Sequence, residues 1–266
     1  MGKKKDEIAM DESTPEIQGE TATAQASAGR KNLYYVGGSK GGIGKSIVSM
    51  GLLHYLLMKD KDCMLIETDD SNPDVANIYQ TIIPTEKIAL SSDSDTWSNL
   101  LDVLAENTGR HIVINSAARH NTAVKENGSL LDMVIADKSL DLNLFTLWPL
   151  SRHMDCVRLL EEYLASITTS KIFALKNLHF GKSDEFELYD DAVKNGEISV
   201  DGTLDFPALS DRVTYMFYSQ GLPIHETVAH FEGLKKLGTV TTLKNWINKI
   251  ATMFDQIHDV AGIPLN

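Results

Sequence analysis

A glycine-rich run at residues 38–46, GSKGGIGKS, combines the residue types that bind phosphate groups. It is similar to the P-loop pattern G-x-x-x-x-G-K-[ST]: Gly44, Lys45 and Ser46 occupy its last three positions, and Gly38 lies one residue before its first position, where Ser39 stands. Glycines allow backbone N–H groups to turn inward around a phosphate chain, and a helix that starts near Lys45 adds its N-terminal dipole. Lys45 supplies a positive charge for the β- and γ-phosphates, and the Ser46 hydroxyl is a suitable Mg²⁺ ligand. The alternative is a glycine-rich turn that binds nothing.

The strands and helices that position this loop can be predicted from the sequence, in which short apolar runs alternate with segments of helical periodicity. Short buried strands are predicted at residues 32–36, 63–66, 111–114, 142–147 and 171–175, with Pro149 ending the fourth. Helices are predicted at residues 46–58 and 154–167. This alternation predicts an α/β fold with a doubly wound, mostly parallel sheet in a single P-loop NTPase domain, residues 32–266. Residues 1–31 are polar and show no periodicity, and this pattern predicts a flexible N-terminal tail.

The composition limits the classes of function. The 266 residues carry a formal net charge of −12, which argues against a protein that coats DNA non-specifically. No apolar run approaches the roughly 18 residues that a membrane span needs, so no integral membrane association is expected. Two cysteines far apart in the chain, Cys63 and Cys156, fit free thiols in a reducing compartment and predict a cytoplasmic protein.

A second lysine in the glycine-rich run, Lys40, narrows the class of protein. With it, the run resembles the loop of the deviant Walker A ATPases, the ParA/MinD group, which reads K-G-G-x-G-K-[ST]. The resemblance implies that this loop binds ATP and Mg²⁺, and that Lys40 and Lys45 are catalytic. It also implies that Lys40 reaches across a two-fold axis to the nucleotide of a second subunit, so that ATP binding produces a homodimer. The alternative is a solvated loop lysine. The residues that match this pattern are Lys40, Gly41, Gly42, Ile43, Gly44, Lys45 and Ser46.

Polar residues after the second and third predicted strands extend the resemblance. It implies that Asp69 orients the attacking water and that Asp69, Ser46 and Asn115 hold Mg²⁺. Glu67 and Asn115 stand where the family has aspartates. The Asn115 amide oxygen can accept a hydrogen bond from a metal-bound water but carries no charge, so slow hydrolysis is expected. For Asp69, the alternative is an acidic turn residue.

Later segments are similar to the family's base-binding region and to one of its branches. Asn177 matches an asparagine that reads the adenine edge, and Pro207 matches a proline loop beside the base; ordinary loop chemistry is the alternative for both. Residues 179–189 and 204–213 resemble the plasmid-transfer branch, the TraL/MobD/StbB-like proteins. The alternative for residues 181–203 is a surface insertion without a partner.

Two functional hypotheses remain open at this point, together with a weaker third. The first is an ATP-dependent dimerising switch that positions or segregates DNA and is activated by an unidentified protein partner. The second is a weakly hydrolysing regulator that acts through protein partners without binding DNA. The third is a small-molecule kinase or synthetase, which would need a second substrate pocket, and the sequence shows no residues for one. An apolar stripe from Leu243 to Ile257 predicts a core-packing helix, since Asp255 and Asp259 would be repelled by an anionic membrane.

Overall fold

The computed structural model describes residues 1–2, 29–38, 41–118 and 120–266. Seven strands in this part of the chain form one sheet. They are Lys31–Val36 (β1), Cys63–Glu67 (β2), Thr85–Lys87 (β3), His111–Asn115 (β4), Leu142–Leu150 (β5), Lys171–Asn177 (β6) and Gly202–Phe206 (β7). Nine helices accompany them. They are Lys45–Met58 (α1), Asp74–Tyr79 (α2), Ser94–Glu106 (α3), Asn121–Ala136 (α4), Met154–Leu164 (α5), Glu187–Lys194 (α6), Asp211–Gln220 (α7), Ile224–Gly233 (α8) and Leu237–Ala261 (α9).

The sheet has the strand order β3-β2-β4-β1-β5-β6-β7, and every pairing is parallel. Its two faces bury separate cores because neighbouring side chains of a strand point in opposite directions. Tyr34 and Val36 of β1 pack with α1, α2, α7, α8 and α9, whereas Leu33 and Tyr35 pack with α3, α4, α5 and α6. The predicted doubly wound α/β fold is therefore confirmed.

Helix α1 lies between the sheet and α9 and is apolar on nearly all sides. Gly51 allows the two helices to approach closely, since a Cβ atom there would lie 3.2 Å from Cδ1 of Ile250. The apolar stripe of α9 is buried along its length, from Leu243 at 0 % exposed to Ile257 at 1 %. The predicted core-packing helix is thus confirmed. In the part of the chain that the structure describes, no helix is long and apolar enough to span a membrane.

Strand β5 continues through Pro149 to Leu150, so the prediction that this proline ends the strand is wrong. The carbonyl of Leu147 accepts a hydrogen bond from the Gly37 N–H, which places the inter-strand groups of Leu147 on the β1 side. Backbone groups two residues apart in a strand point to the same side, so the nitrogen of Pro149, which carries no hydrogen, also lies on the β1 side. Because β1 has already ended at Val36, no hydrogen bond of the sheet is lost there.

Residues 181–203 contribute to the core on the face of the sheet that carries Leu33 and Tyr35, so they are more than a surface insertion. Phe186, Tyr189, Ala192 and Ile198 are each at most 2 % exposed and pack with the helices on that face of the sheet. The predicted N-terminal tail falls mainly on residues 3–28, which lie outside the described part of the chain.

Candidate functional site

The glycine-rich loop joins the end of β1 to the start of α1 at the carboxyl edge of the sheet. Gly42 and Gly44 have φ angles of 79° and 103°, the left-handed region that favours glycine. Helix α1 begins at Lys45, one residue before the predicted start. Gly44 also lies against Asn177, since a Cβ atom at Gly44 would come within 2.5 Å of the Asn177 Nδ2 atom. Gly42 and Gly44 therefore have the backbone conformation that the sequence predicts for them.

Asn177, at the end of β6, fixes the loop from the side. Its Nδ2 group donates a hydrogen bond to the Ile43 carbonyl at 2.9 Å, and its Oδ1 atom accepts one from the His179 N–H at 3.1 Å. The side chain is only 6 % exposed. Asn177 thus orders the loop before any ligand arrives, a role that the sequence did not reveal, and its predicted contact with adenine remains a prediction.

A cavity of about 400 Å³ opens above the loop and is bounded by the ends of four strands and by α7. This volume lies in the range of small-molecule and cofactor sites. It brings together most of the residues that the sequence predicted for nucleotide and metal. Those that line it are Gly41, Gly42, Gly44, Lys45, Ser46, Asp69, Asn115, Asn177 and Pro207. Gly38 and Ile43 are buried under the loop, and Lys40 lies outside the described residues.

Lys45, the first residue of α1, is the charged group at the end of the loop and is 7 % exposed. Burial lowers its pKa from 10.5 to about 8, and the nearby carboxylate of Asp69 acts in the opposite direction. A buried ammonium with a lowered pKa is stabilised by any polyanion that enters the cavity. The electrostatics of the site therefore favour a phosphate chain.

Asp69 lies on the turn that follows β2, where its side chain both stabilises the turn and lines the cavity. Its Oδ1 atom accepts hydrogen bonds from the backbone N–H groups of Ser71 and Asn72, at 3.2 and 3.0 Å, so the residue does shape an acidic turn. The side chain also lines the cavity. This position suits a metal ligand or a water-orienting group, and both roles remain predictions.

Glu67 and Asn115, on the adjacent strands β2 and β4, are in direct contact. The Asn115 Nδ2 group donates a hydrogen bond to Glu67 Oε1 at 2.9 Å, and the Asn115 Oδ1 atom accepts one from the Ser49 hydroxyl at 2.9 Å. Burial raises the pKa of Glu67 to about 7, although the hydrogen bonds from Asn115 and from the backbone lower it. The predicted role of Asn115 toward Mg²⁺ remains a prediction, but its amide orientation is now defined.

His120, the residue before α4, adjoins the site through its contact with Thr68, and the sequence did not reveal it. The Thr68 hydroxyl donates its hydrogen to the Asn115 carbonyl at 3.0 Å, so its 3.1 Å contact with His120 Nδ1 requires His120 to donate. The neutral ring is therefore protonated at Nδ1 and leaves Nε2 as an acceptor. Burial lowers the pKa of His120, and the charges of Asp69 and Asp70 oppose that shift.

The far wall of the cavity consists of the Pro207 segment and α7. The indole N–H of Trp246, on α9, donates a hydrogen bond to the Pro207 carbonyl at 2.8 Å. Tyr218 of α7 lines the cavity, and its hydroxyl is hydrogen-bonded to the Ser46 side chain. The wall is thus connected both to α9 and to the first turn of α1.

The parallel sheet and the glycine-rich loop between β1 and α1 define the class of protein, a P-loop α/β protein. Within that class, the chain is similar to protein MobD of Acidithiobacillus ferrooxidans, with 33 % identity over 229 residues. The similarity covers 85 % of this chain and 98 % of the relative. The chain therefore belongs to the MobD family. No family model matches it.

Solved structures with a related fold include two bacterial proteins of low sequence identity. The MinD cell division protein of Aquifex aeolicus has a TM-score of 0.47 and 11 % identity, covering 82 % of this chain and 96 % of that protein. The ATP complex of a McdA variant from Cyanothece has a TM-score of 0.44 and 14 % identity, covering 89 % of this chain and 98 % of that protein. Likeness at this level concerns the fold alone.

Proposed function

We propose that this protein is a slow, Mg²⁺-dependent ATPase of the cytoplasm that acts as a nucleotide-controlled switch. The observation that carries the proposal is the 400 Å³ cavity above the glycine-rich loop, in which Lys45, Ser46 and Asp69 converge. Its position at the carboxyl ends of the strands is where open α/β sheets bind ligands. The residues fit the group: glycines with left-handed φ angles in the loop, a buried ammonium and oxygen ligands for a hard cation.

Each residue has a distinct task in the proposed site. The loop backbone and Lys45 bind the β- and γ-phosphates, while Asn177 and Pro207 border the base. Ser46, Asp69 and the amide of Asn115 would hold Mg²⁺, directly or through water, and the ion would offset the charge of the phosphates. Asp69 orients the attacking water. These contributions are positioning and charge neutralisation, the main terms in phosphoryl transfer.

The proposed switch is a homodimer that forms face to face when ATP is bound. Lys40 of each subunit neutralises charge on the other subunit's nucleotide, which permits two anionic sites to meet. In the ATP form the dimer positions or segregates DNA during plasmid partition, maintenance or mobilisation. A protein partner accelerates hydrolysis and so ends each cycle. Membership of the MobD family and the resemblance of the loop to the deviant Walker A pattern support this proposal.

A second candidate is a regulator that binds nucleotide, turns it over poorly and acts through protein partners without DNA. Two observations favour it. An amide, Asn115, stands at the end of β4, where a carboxylate would strengthen metal binding. The formal net charge of −12 also opposes contact with a DNA backbone.

Retention on DNA by an Asp69→Ala variant distinguishes the two candidates. If Asp69 orients the attacking water, this variant binds ATP but hydrolyses it much more slowly, so the ATP dimer persists. The experiment compares retention in ATP and in ADP over a series of salt concentrations. Asp70→Ala is a matched control because Asp70 is a neighbouring carboxylate on the exposed side of the same turn.

Retention specific to ATP, declining steeply with salt, is the result expected of a switch that contacts DNA phosphates. ATP binding without retention in either nucleotide would refute the DNA role and leave the protein-directed regulator. Absence of ATP binding by the wild-type protein would refute both candidates.

A further inference from the structure

The outer edge of β7 borders an open groove that lies beside the exposed face of α9. The groove has a volume of about 630 Å³, more than the cavity above the glycine-rich loop. Residues of β7, of α9 and of the segment after β6 line it, among them Thr203, Asp205, Asn248, Lys249, Gln256 and Ser183. The last strand of the sheet therefore adjoins a space that can hold another chain segment.

The two edges of the sheet differ in their protection. The edge strand β3 has only three residues and exposes Glu86 and Lys87, features that discourage pairing with a further strand. The edge strand β7 has five residues, and two of them, Leu204 and Phe206, direct their side chains into the core. Of the two edges, β7 is the one suited to accept another strand.

The hydrogen bonds of β6 show which backbone groups of β7 remain free. The Ile172 N–H donates to the Asp201 carboxylate, and the Ile172 carbonyl accepts a bond from the Asp201 N–H, each at 2.8 Å. The backbone groups of Ile172 therefore face the β7 side. Those of Ala174 and Lys176 face the same side, because backbone groups two residues apart in a strand point in the same direction.

In a parallel pair, such a residue bonds to the two neighbours of the residue opposite it. Thr203 lies opposite Ala174, and Asp205 lies opposite Lys176. The N–H and carbonyl groups of Thr203 and Asp205 thus point away from β6, and no hydrogen bond among the described residues reaches them. Two donors and two acceptors that repeat about every 6.6 Å along an edge are complementary to another extended polypeptide.

The two walls of the groove carry opposite charges. On the α9 side, Lys249 is exposed and makes no ion pair within the described part of the chain. On the opposite side, the Asp205 carboxylate accepts a hydrogen bond from the Ser183 hydroxyl at 2.7 Å. Side chains of a strand alternate between its two faces. A complementary segment therefore places acidic side chains toward α9 and hydroxyl groups toward Asp205.

We propose that the outer edge of β7 is a docking site at which an extended, acidic segment of another protein adds a strand to the sheet. A second copy of this chain fits less well, because pairing of two such edges about a two-fold axis would bring two Lys249 side chains into one groove. Strand β7 leads directly into Phe206 and Pro207, which line the nucleotide cavity. The docked protein is thus well placed to be the partner that accelerates hydrolysis; this last assignment rests on the proposed function.

The test uses a short synthetic peptide of alternating threonine and glutamate, with blocked ends and a fluorophore. Threonine favours the extended conformation. Fluorescence anisotropy without nucleotide measures its affinity for wild type, Lys249→Glu and Lys244→Glu. Lys244→Glu is the matched control, since it makes the same charge change at an exposed residue of α9 that does not line the groove. Amide hydrogen exchange, followed by NMR, reports on Thr203 and Asp205.

The peptide should protect the free edge in proportion to its occupancy. At a peptide concentration about ten times the dissociation constant, exchange of the Thr203 and Asp205 amides should slow about tenfold. Lys249→Glu should weaken binding about fivefold and Lys244→Glu less than about twofold. A peptide with lysine in place of glutamate should bind Lys249→Glu better than wild type.

Two N-methylated peptides test the pairing itself, because methylation removes the donors of a strand without changing its side chains. With glutamate toward α9, the threonine nitrogens face β7 in an antiparallel pairing and the glutamate nitrogens face it in a parallel one. Methylation of one set should abolish binding, and methylation of the other set should preserve it. The set that abolishes binding gives the direction of the docked strand.

Absence of peptide binding, equal binding by both methylated peptides, or equal losses in the two lysine variants would overturn the proposal. Slow exchange of the Thr203 and Asp205 amides in the protein alone would mean that this chain already covers the edge. Protection that grows with protein concentration would mean that a second copy occupies it, and either result would also overturn the proposal. Because no nucleotide is present, failure of the proposed ATPase function would leave these outcomes unchanged.

Discussion

The buried lysine of the glycine-rich loop makes nucleotide affinity depend on pH in the alkaline range. Lys45 is 7 % exposed, and burial lowers its pKa to about 8. Bound phosphates hold the ammonium in its charged form and raise that pKa. Binding is therefore strongest below pH 8 and weakens as the pH rises through 8, because a neutral amine must first take up a proton.

The size of the effect follows from the pKa of the free protein. Nearly all Lys45 is charged at pH 7, about half at pH 8 and about one tenth at pH 9, so affinity should fall about tenfold between pH 7 and pH 9. At pH 8, binding should also take up about half a proton per nucleotide. Titration with a fluorescent ADP analogue at constant ionic strength measures the affinity. Calorimetry in two buffers of different ionisation enthalpy measures the proton uptake.

A Lys45→Arg variant is the control for this prediction. Its guanidinium stays charged throughout the range, so its affinity, although weaker, should not change between pH 7 and pH 9. The reasoning is refuted if the affinity of wild type is constant over this range, or if the variant shows the same decline.

Three further predictions concern the loop, the cavity wall and a buried histidine. Gly44→Ala should abolish nucleotide binding, because φ at this position is 103° and the new Cβ atom would lie 2.5 Å from Asn177; Gly109→Ala, in open space, should bind normally in the same titration. Trp246→Phe removes the donor to the Pro207 carbonyl and should lower the free energy of unfolding in urea by about 1–3 kcal/mol. His111 is fully buried, its Nδ1 atom accepts a hydrogen bond from the Asn32 N–H, and burial lowers its pKa to about 4. Because the unfolded chain binds this proton more readily, stability should fall as the pH drops from about 6.5 toward 4, by up to ~3 kcal/mol. Urea denaturation at several pH values should show a smaller decline in a His111→Asn variant.

The parts of the fold that could be predicted are those whose signal is local. Strands β1, β2, β4, β5 and β6 are continuous apolar runs, and a parallel sheet buried on both faces requires such runs. Strand β3 was not predicted because Thr85, Glu86 and Lys87 are polar and partly or fully exposed at the edge of the sheet. Helix α4 was also missed, since only a few of its side chains are buried and Gly128 interrupts the apolar pattern of its sequence.

The candidate site shows the same division between local and long-range information. Gly44, Lys45 and Asp69 could be placed because a motif and the ends of predicted strands locate them. The contact of Asn177 with the Ile43 carbonyl joins residues 134 positions apart, and no local pattern indicates it. The same holds for the bond between Ser49 and Asn115. These contacts exist only once the sheet has brought β1, β4 and β6 to one edge.

The hydrogen bond from Trp246 to Pro207 connects the cavity wall to the last helix, so we expect the two to open together. Trp246 lies within the 25-residue helix α9, and its ring is packed edge to face against Phe206. The Pro207 segment therefore cannot detach without disturbing the packing of α9 on the sheet. A ligand that closes against Pro207 consequently slows amide hydrogen exchange along α9, in a part of the molecule that the ligand does not touch.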